Sequence, residues 1–375
     1  MSYTIEQVWE SLKKVRYPDG NADIVSLNMV ESIEIEGNKI SFSVYLPVFN
    51  SPFKKSIEKA CVRAVHDTLG KDLEVNANIT SKITVGRIDN TQEEILPGVK
   101  NIIAVASGKG GVGKSTVATN LAIALAKLGS KTGLIDADVY GPSIPKMFGV
   151  EASKPGMDKI NGLDRIIPVE KYGVKMLSIG FFVKPDDALI WRGAMATSAL
   201  KQLINEAVWG ELDYLVIDLP PGTSDIHLTM VQTIPVTGAV IVSTPQDVAL
   251  ADARKGISMF RQEKINVPIL GLIENMSWFT PAELPDKKYY IFGKDGCKKL
   301  AEELNIPFIG QIPIVESIRE NGDLGTPSAL EDSLVGEAFR QLGENVAQKV
   351  EERNATLAPT KVVEIDPNAK HPTNQ

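Results

Sequence analysis

Residues 102–116 read Ile-Ile-Ala-Val-Ala-Ser-Gly-Lys-Gly-Gly-Val-Gly-Lys-Ser-Thr, an apolar, β-prone run that enters a glycine-rich turn and leaves as a helix. The turn from Gly108 to Ser115 fits the pattern G-x-x-x-x-G-K-[ST], in which backbone N–H groups converge on phosphate oxygens. Glycine suits that task because no Cβ stands between backbone and anion. The helix that follows points its positive end at the same charge. On this pattern Gly108, Lys109, Gly110, Gly111, Val112, Gly113, Lys114, Ser115 and Thr116 form a cradle for ATP. Lys114 is expected at the β- and γ-phosphates, and the Ser115 hydroxyl on Mg2+.

Beyond this loop, β-prone runs alternate with helical stretches, which predicts an α/β unit with a mostly parallel sheet and helices on both faces. Val117, Leu121, Leu125 and Leu128 give the first helix an apolar stripe that stops at Gly129. The next run, from Lys131, ends in Asp136-Ala137-Asp138. Acids at the carboxyl end of a strand lie where open α/β sheets bind ligands. Asp136 is expected in the magnesium shell, and Asp138 is expected to position or activate the attacking water. The plainer alternative is a pair of capping or solvated acids. Leu215-Val216-Ile217-Asp218 is a second apolar run closing on an acid, and Asp218 is expected to hold Mg2+ through water. Pro220-Pro221-Gly222-Thr223 follows at once as a candidate switch segment, with the Gly222 N–H directed at the γ-phosphate. Strands are expected at 238–244, 269–275 and 308–313, and a closing helix at 330–352.

Residues 1–86 read as a separate small α+β domain. Ile5, Val8, Trp9 and Leu12 have helical spacing behind a Thr4 cap. Residues 29–35 and 39–46 alternate about Glu36-Gly37-Asn38, which predicts a hairpin. A helix over 51–69 and a strand over 73–85 complete the domain. Residues 87–100 are polar, close on Pro97-Gly98 and are read as a linker. The ATP-binding unit spans 101–353, and the tail from 354 to 375 is expected to be disordered.

A chain of 375 residues is long for one core, in keeping with two domains. Its net charge of −7 disfavours general nucleic-acid binding, which needs a basic face. No apolar run is long enough to span a membrane, and the N-terminus lacks a basic-then-apolar signal segment. Cys61 and Cys297 make no disulfide framework and fit a reducing, cytoplasmic setting. His66, His227 and His371 are scattered without metal-ligand spacing.

One residue narrows the class. Lys109 inside the loop gives Lys-Gly-Gly-Val-Gly-Lys-Ser, which resembles the deviant phosphate loop of MinD/ParA/nitrogenase-iron-protein ATPases. The resemblance implies that Lys109 crosses a homodimer interface to the partner's nucleotide; a solvated loop charge is the alternative. It also implies that Asn275 lies on the adenine, against a buried turn-forming asparagine. Asp136-Ala-Asp-Val-Tyr-Gly-Pro-Ser-Ile-Pro, Trp191-Arg-Gly, Asp218-Leu-Pro-Pro-Gly-Thr-Ser-Asp and Glu274-Asn-Met-Ser look like the Mrp/ApbC family. The N-terminal stretch around Tyr17-Pro-Asp-Gly resembles the MIP18-type (DUF59) domain. Together the resemblances span most of the chain. They imply a homodimeric, ATP-hydrolysing carrier of iron–sulfur clusters that serves apo iron–sulfur proteins or assembly scaffolds.

Two departures stand out. The MIP18-type loop cysteine is replaced by Asn50-Ser-Pro-Phe, and the Cys-Pro-x-Cys that the carrier family places after Asn-Met-Ser-x-Phe is replaced by Thr280-Pro-Ala-Glu. Clusters want thiolates. Cys297, in Gly293-Lys-Asp-Gly-Cys, is the nearby candidate ligand, since a helix N-terminus favours thiolate; small apolar packing is its alternative. Cys61 falls on an apolar helix face and reads as core. Two functions therefore compete: a cluster-carrying ATPase, and a nucleotide-gated assembly scaffold with no cluster of its own.

Overall fold

A computed structural model describes residues 3–17, 23–27, 29–46, 54–81, 95–96, 98–139, 141–160, 162–182, 193–223, 225–263, 265–281, 283–284 and 286–360. The chain forms two compact units, Met1–Gln92 and Glu93–Gln375.

The first unit holds α1 (Ile5–Leu12), β1 (Val30–Glu36), β2 (Lys39–Leu46), α2 (Lys54–Leu69) and β3 (Glu74–Ser81). A capping box opens α1. The Thr4 hydroxyl accepts from the Gln7 N–H, and the Gln7 side chain accepts from the Thr4 N–H. β1 and β2 form the antiparallel hairpin, and α2 carries the chain over to β3, which lies parallel to β2. Strand alternation puts Ile40, Phe42, Val44 and Leu46 on one face. They share a core with Val8 and Leu12 of α1 and Ile57, Cys61 and Val65 of α2. Residues 47–53, 82–94 and 361–375 lie outside the described residues. So do most of the expected linker and the Asn50–Phe53 segment.

The second unit runs β4 (Val99–Ala106), α3 (Lys114–Lys127), β5 (Thr132–Asp136), α4 (Ile144–Met147), β6 (Gly156–Ile160), β7 (Leu163–Ile167), β8 (Val169–Lys171), β9 (Val174–Ser178), α5 (Gly193–Asn205), β10 (Leu212–Asp218) and α6 (Asp225–Thr233). It continues with β11 (Gly238–Ser243), α7 (Asp247–Phe260), β12 (Ile269–Glu274), α8 (Gly296–Leu304), β13 (Phe308–Gln311), α9 (Glu316–Leu324) and α10 (Leu334–Thr356). β4 begins at Val99, inside the stretch expected as linker. The tail region likewise starts as helix, since α10 runs to Thr356.

Eight strands form one sheet in the order β13-β12-β11-β4-β10-β5-β9-β8. Every pairing in it is parallel except β8 with β9. Alternation along the central strands feeds two cores. Ile102, Ala104, Ile217 and Ile241 face the layer of α5, α6, α7 and α8. Ile103, Val105, Val216 and Val242 face α3, α4 and α10. Helices on both faces of a parallel sheet are thus a direct result of strands that are apolar on both sides. β6 and β7 form a separate hairpin that sequence reading did not anticipate.

Candidate nucleotide site

The parallel sheet delivers three strand ends to one place. β4 leads into the glycine-rich loop, and β5 and β10 end on Asp136 and Asp218, which are paired in register. Asp136 is paired in turn with Ser178 at the end of β9.

The loop folds as glycine permits. Gly111 and Gly113 adopt left-handed backbone angles, φ +79° and +81°. Gly108 is needed for a different reason: a Cβ there would lie 2.1 Å from the backbone of Asp252 in α7. The Ser107 hydroxyl donates to Lys109 O. Lys109 itself is exposed.

Lys114 is the first residue of α3 and is 5% exposed. Its Nζ donates to Asp218 Oδ1 at 2.6 Å and lies 3.2 Å from Ser115 Oγ. Asp218 and Asp136 are both fully buried. Asp136 Oδ1 accepts from the Asp138 N–H, and its Oδ2 accepts from the Ser178 hydroxyl and the Ile144 N–H. Burial, and then the neighbouring Asp218 carboxylate, hold the Asp136 pKa above the usual carboxylate range. Burial raises Asp218 too, with Lys114 pulling in the opposite direction. Asp138 is buried beside them at 8% exposure.

Asp218 Oδ2 is buried and has no hydrogen-bond partner. An orphaned carboxylate oxygen costs free energy unless something donates to it or coordinates it. With the oxygens of Ser115 and Asp136 close by, the donor set is hard and anionic, which suits Mg2+. Among the described residues no three His, Cys, Asp or Glu side chains converge as a ready-made ion cage. The residues present therefore fit this metal.

Two of the expected residues also contact the backbone of the loop. The Gly222 N–H donates to Ser107 O at 2.9 Å, so it ties the candidate switch to the start of the phosphate loop. The Asn275 amide, expected near the base, donates to Val112 O at 2.8 Å. Ser178 was missed altogether, because its link to the site is a hydrogen bond to Asp136, 42 residues away in the chain.

Cys297 is the second residue of α8 and is fully buried. Its N–H donates to Glu274 Oε2, and its thiol contacts Thr244 O. Burial, then the Glu274 carboxylate, push the thiol pKa up. The expectation was a thiolate-favouring helix end; here burial and then the neighbouring carboxylate oppose the thiolate. Burial pushes the Cys61 thiol up to about 12. Flanking the 280–283 stretch, where the resemblance expects a cysteine pair, Phe279 and Tyr289 exchange both backbone hydrogen bonds, and Lys288 Nζ lies 3.8 Å from the Trp278 ring centre.

Comparisons with known proteins place the chain in a family. A family profile described as "NUBPL iron-transfer P-loop NTPase" matches residues 98–350, and one described as "Iron-sulfur cluster assembly protein" matches residues 5–78. A Synechocystis protein named "Iron-sulfur cluster carrier protein" is 41% identical over 355 residues, covering 92% of this chain and 98% of that protein. An Escherichia coli K12 protein of the same name is 42% identical over 345 residues, covering 91% and 90%. Among solved structures, a nucleotide-binding protein from Archaeoglobus fulgidus in complex with ADP matches with a TM-score of 0.55 and 39% identity, over 63% of this chain and 91% of that one. No described helix is long and apolar enough to cross a membrane. The chain belongs to the NUBPL iron-transfer P-loop NTPase family of iron–sulfur cluster carriers.

Proposed function

We propose that this protein is a Mg2+-dependent ATP hydrolase that carries iron–sulfur clusters to apoproteins or assembly scaffolds, with ATP acting at a homodimer interface in the cytoplasm. The observation that carries the reading is the buried pair of Lys114 and Asp218, 2.6 Å apart, with Asp218 Oδ2 left unpartnered beside it. A lysine and a carboxylate poised in this way at a glycine loop are the means to hold a polyphosphate and its metal.

The backbone from Gly108 to Thr116 takes the phosphates. Lys114 exchanges Asp218 for the β- and γ-phosphate oxygens. Ser115, Asp136 and Asp218 would hold Mg2+, which when bound would supply positive charge beside the transferred phosphoryl group. Asp138 orients the attacking water through its carboxylate. Lys109, exposed on the rim of the loop, is free to reach the nucleotide of a partner subunit. An Asp218 carboxylate released by Lys114 loosens the neighbouring 219–223 segment, which gives hydrolysis a mechanical readout. A Lys114→Ala protein that hydrolyses ATP at the wild-type rate refutes this reading.

A specific observation favours a second reading, a nucleotide-gated scaffold without its own cluster. Both cysteines are buried with raised thiol pKa values. If cargo is carried, thiols from a client or a small molecule would hold it. Anaerobic reconstitution with iron and sulfide, with and without a small thiol, separates the two. Visible cluster absorbance that survives Cys297→Ser supports carriage with outside ligands, and bare protein under both conditions supports the scaffold.

A further inference from the structure

We infer that the open edge of the β6–β7 hairpin is a docking site for an extended segment of a partner protein whose side chains run acid, base, apolar. The inference uses none of the nucleotide residues and stands apart from the function proposed above.

Among the described residues the hairpin is a two-stranded sheet of its own, with β6 paired only to β7. Its two edges differ. On β7 the Ile166 N–H donates to Glu206 O, and Ile166 O accepts from the Val208 N–H, so that edge is taken up. The same bonds fix which backbone groups of β6 are free. Residues opposite each other in an antiparallel pair either exchange both hydrogen bonds or turn both backbones outward. Ile166 turns its N–H and C=O to the 206–208 segment, so its partner Met157 turns its own away from β7. Alternation makes Lys159 the next outward residue. Every residue of β6 is exposed. Among the described residues the Lys159 N–H is met only by the neighbouring Asp158 carboxylate, at 2.8 Å. An open edge of this kind is a template for another strand, and a two-stranded hairpin gains stability from a third.

The side chains say which strand fits. Met157, 64% exposed, suits an apolar neighbour, Asp158 a base and Lys159 an acid. An antiparallel strand therefore reads acid–base–apolar from its N-terminus. Asp164, Arg165 and Ile166 already meet Lys159, Asp158 and Met157 in that order from the β7 side. A second copy of β6 does not fit. Pairing through both outward residues sets Met157 of each copy against Lys159 of the other, and Asp158 against Asp158. That central pair is of the close, non-hydrogen-bonded kind, where like charges repel most.

The test uses full-length protein and a labelled, capped peptide copying residues 163–167, Leu-Asp-Arg-Ile-Ile. Anisotropy measures binding, and hydrogen exchange reads the amides of β6. Docking predicts saturable binding with slowed exchange at Met157 and Lys159. It predicts about tenfold weaker binding when Asp and Arg are exchanged in the peptide. A peptide N-methylated at its Asp and first Ile, the two residues whose backbones face the edge, should not bind. Met157→Pro removes one outward donor without touching the bonds to β7, and should weaken binding about fivefold. Should that variant fail to fold, the N-methylated peptide decides. No binding at millimolar peptide, equal binding of the altered peptides, or no protection at Met157 and Lys159 overturns the inference. Protection that rises with protein concentration alone overturns it in favour of a second copy.

Discussion

Replacing Gly108 with alanine should damage this protein more than replacing any open glycine of the same loop, and the structure supplies the magnitude. An added Cβ would meet the carbonyl carbon and oxygen of Asp252 at 2.1 Å and the Ala253 nitrogen at 2.4 Å. Ordinary contact begins near 3.4 Å, so 3.4 − 2.1 = 1.3 Å must come from somewhere. The obstacle is the backbone of α7, and that helix is anchored by the buried Ala253, Ile257 and Phe260. Overpacking of this kind costs about 2 kcal/mol, which lowers Tm by roughly 4–8 °C in a unit of this size. If the loop yields instead of the helix, its phosphate-binding N–H groups move by on the order of 1 Å, enough to cost roughly a hundredfold in turnover. Gly110→Ala is the comparison: its Cβ would meet only Pro221, at 3.9 Å, an ordinary contact. Thermal unfolding of both variants without nucleotide, then ATP turnover, makes the test. A Gly108→Ala protein as stable as Gly110→Ala would refute the steric argument.

Lys114→Ala should destabilise as well as inactivate, because it leaves Asp218 buried without its cation, a loss of about 3 kcal/mol near neutral pH. The deficit should be pH-dependent: without Lys114 the raised Asp218 pKa rises further, the folded state then favours the protonated acid, and stability present below about pH 4 is lost as pH increases toward neutrality. Chemical denaturation across that range checks it, and a pH-independent deficit would contradict it. Both thiols should resist a disulfide reagent at neutral pH in native protein and react once the chain unfolds, since burial opposes the thiolate at Cys61 and Cys297; rapid native labelling of either would contradict the packing described.

The nucleotide cradle was readable because its chemistry is local. A glycine pattern, a lysine and a serine fall within eight residues, and Asp136 and Asp218 each end an apolar run. The parallel sheet was readable for the same reason, as its strands are apolar on both faces. What escaped depends on distant pairs. Gly222 and Asn275 bond to loop carbonyls, and a backbone acceptor leaves no mark in the sequence. Cys297 meets Glu274 only because α8 packs at the end of β12. The β6–β7 hairpin escaped because its first strand is exposed throughout and so has no apolar period to show. The closing helix starts at Leu334 on a Ser333 cap rather than at 330, because residues Ser328–Leu330 take a tighter turn after Pro327.

The ion pair between Lys114 and Asp218 makes ligand capture a competition. Any polyphosphate must win the ammonium away from a carboxylate that already satisfies it, so measured affinity is the difference between two attractions. Weakening the internal rival should therefore strengthen the external one. Asp218→Asn, which is expected to end turnover, should at the same time bind metal-free ATP more tightly than the wild type, producing a protein that seizes its nucleotide and keeps it.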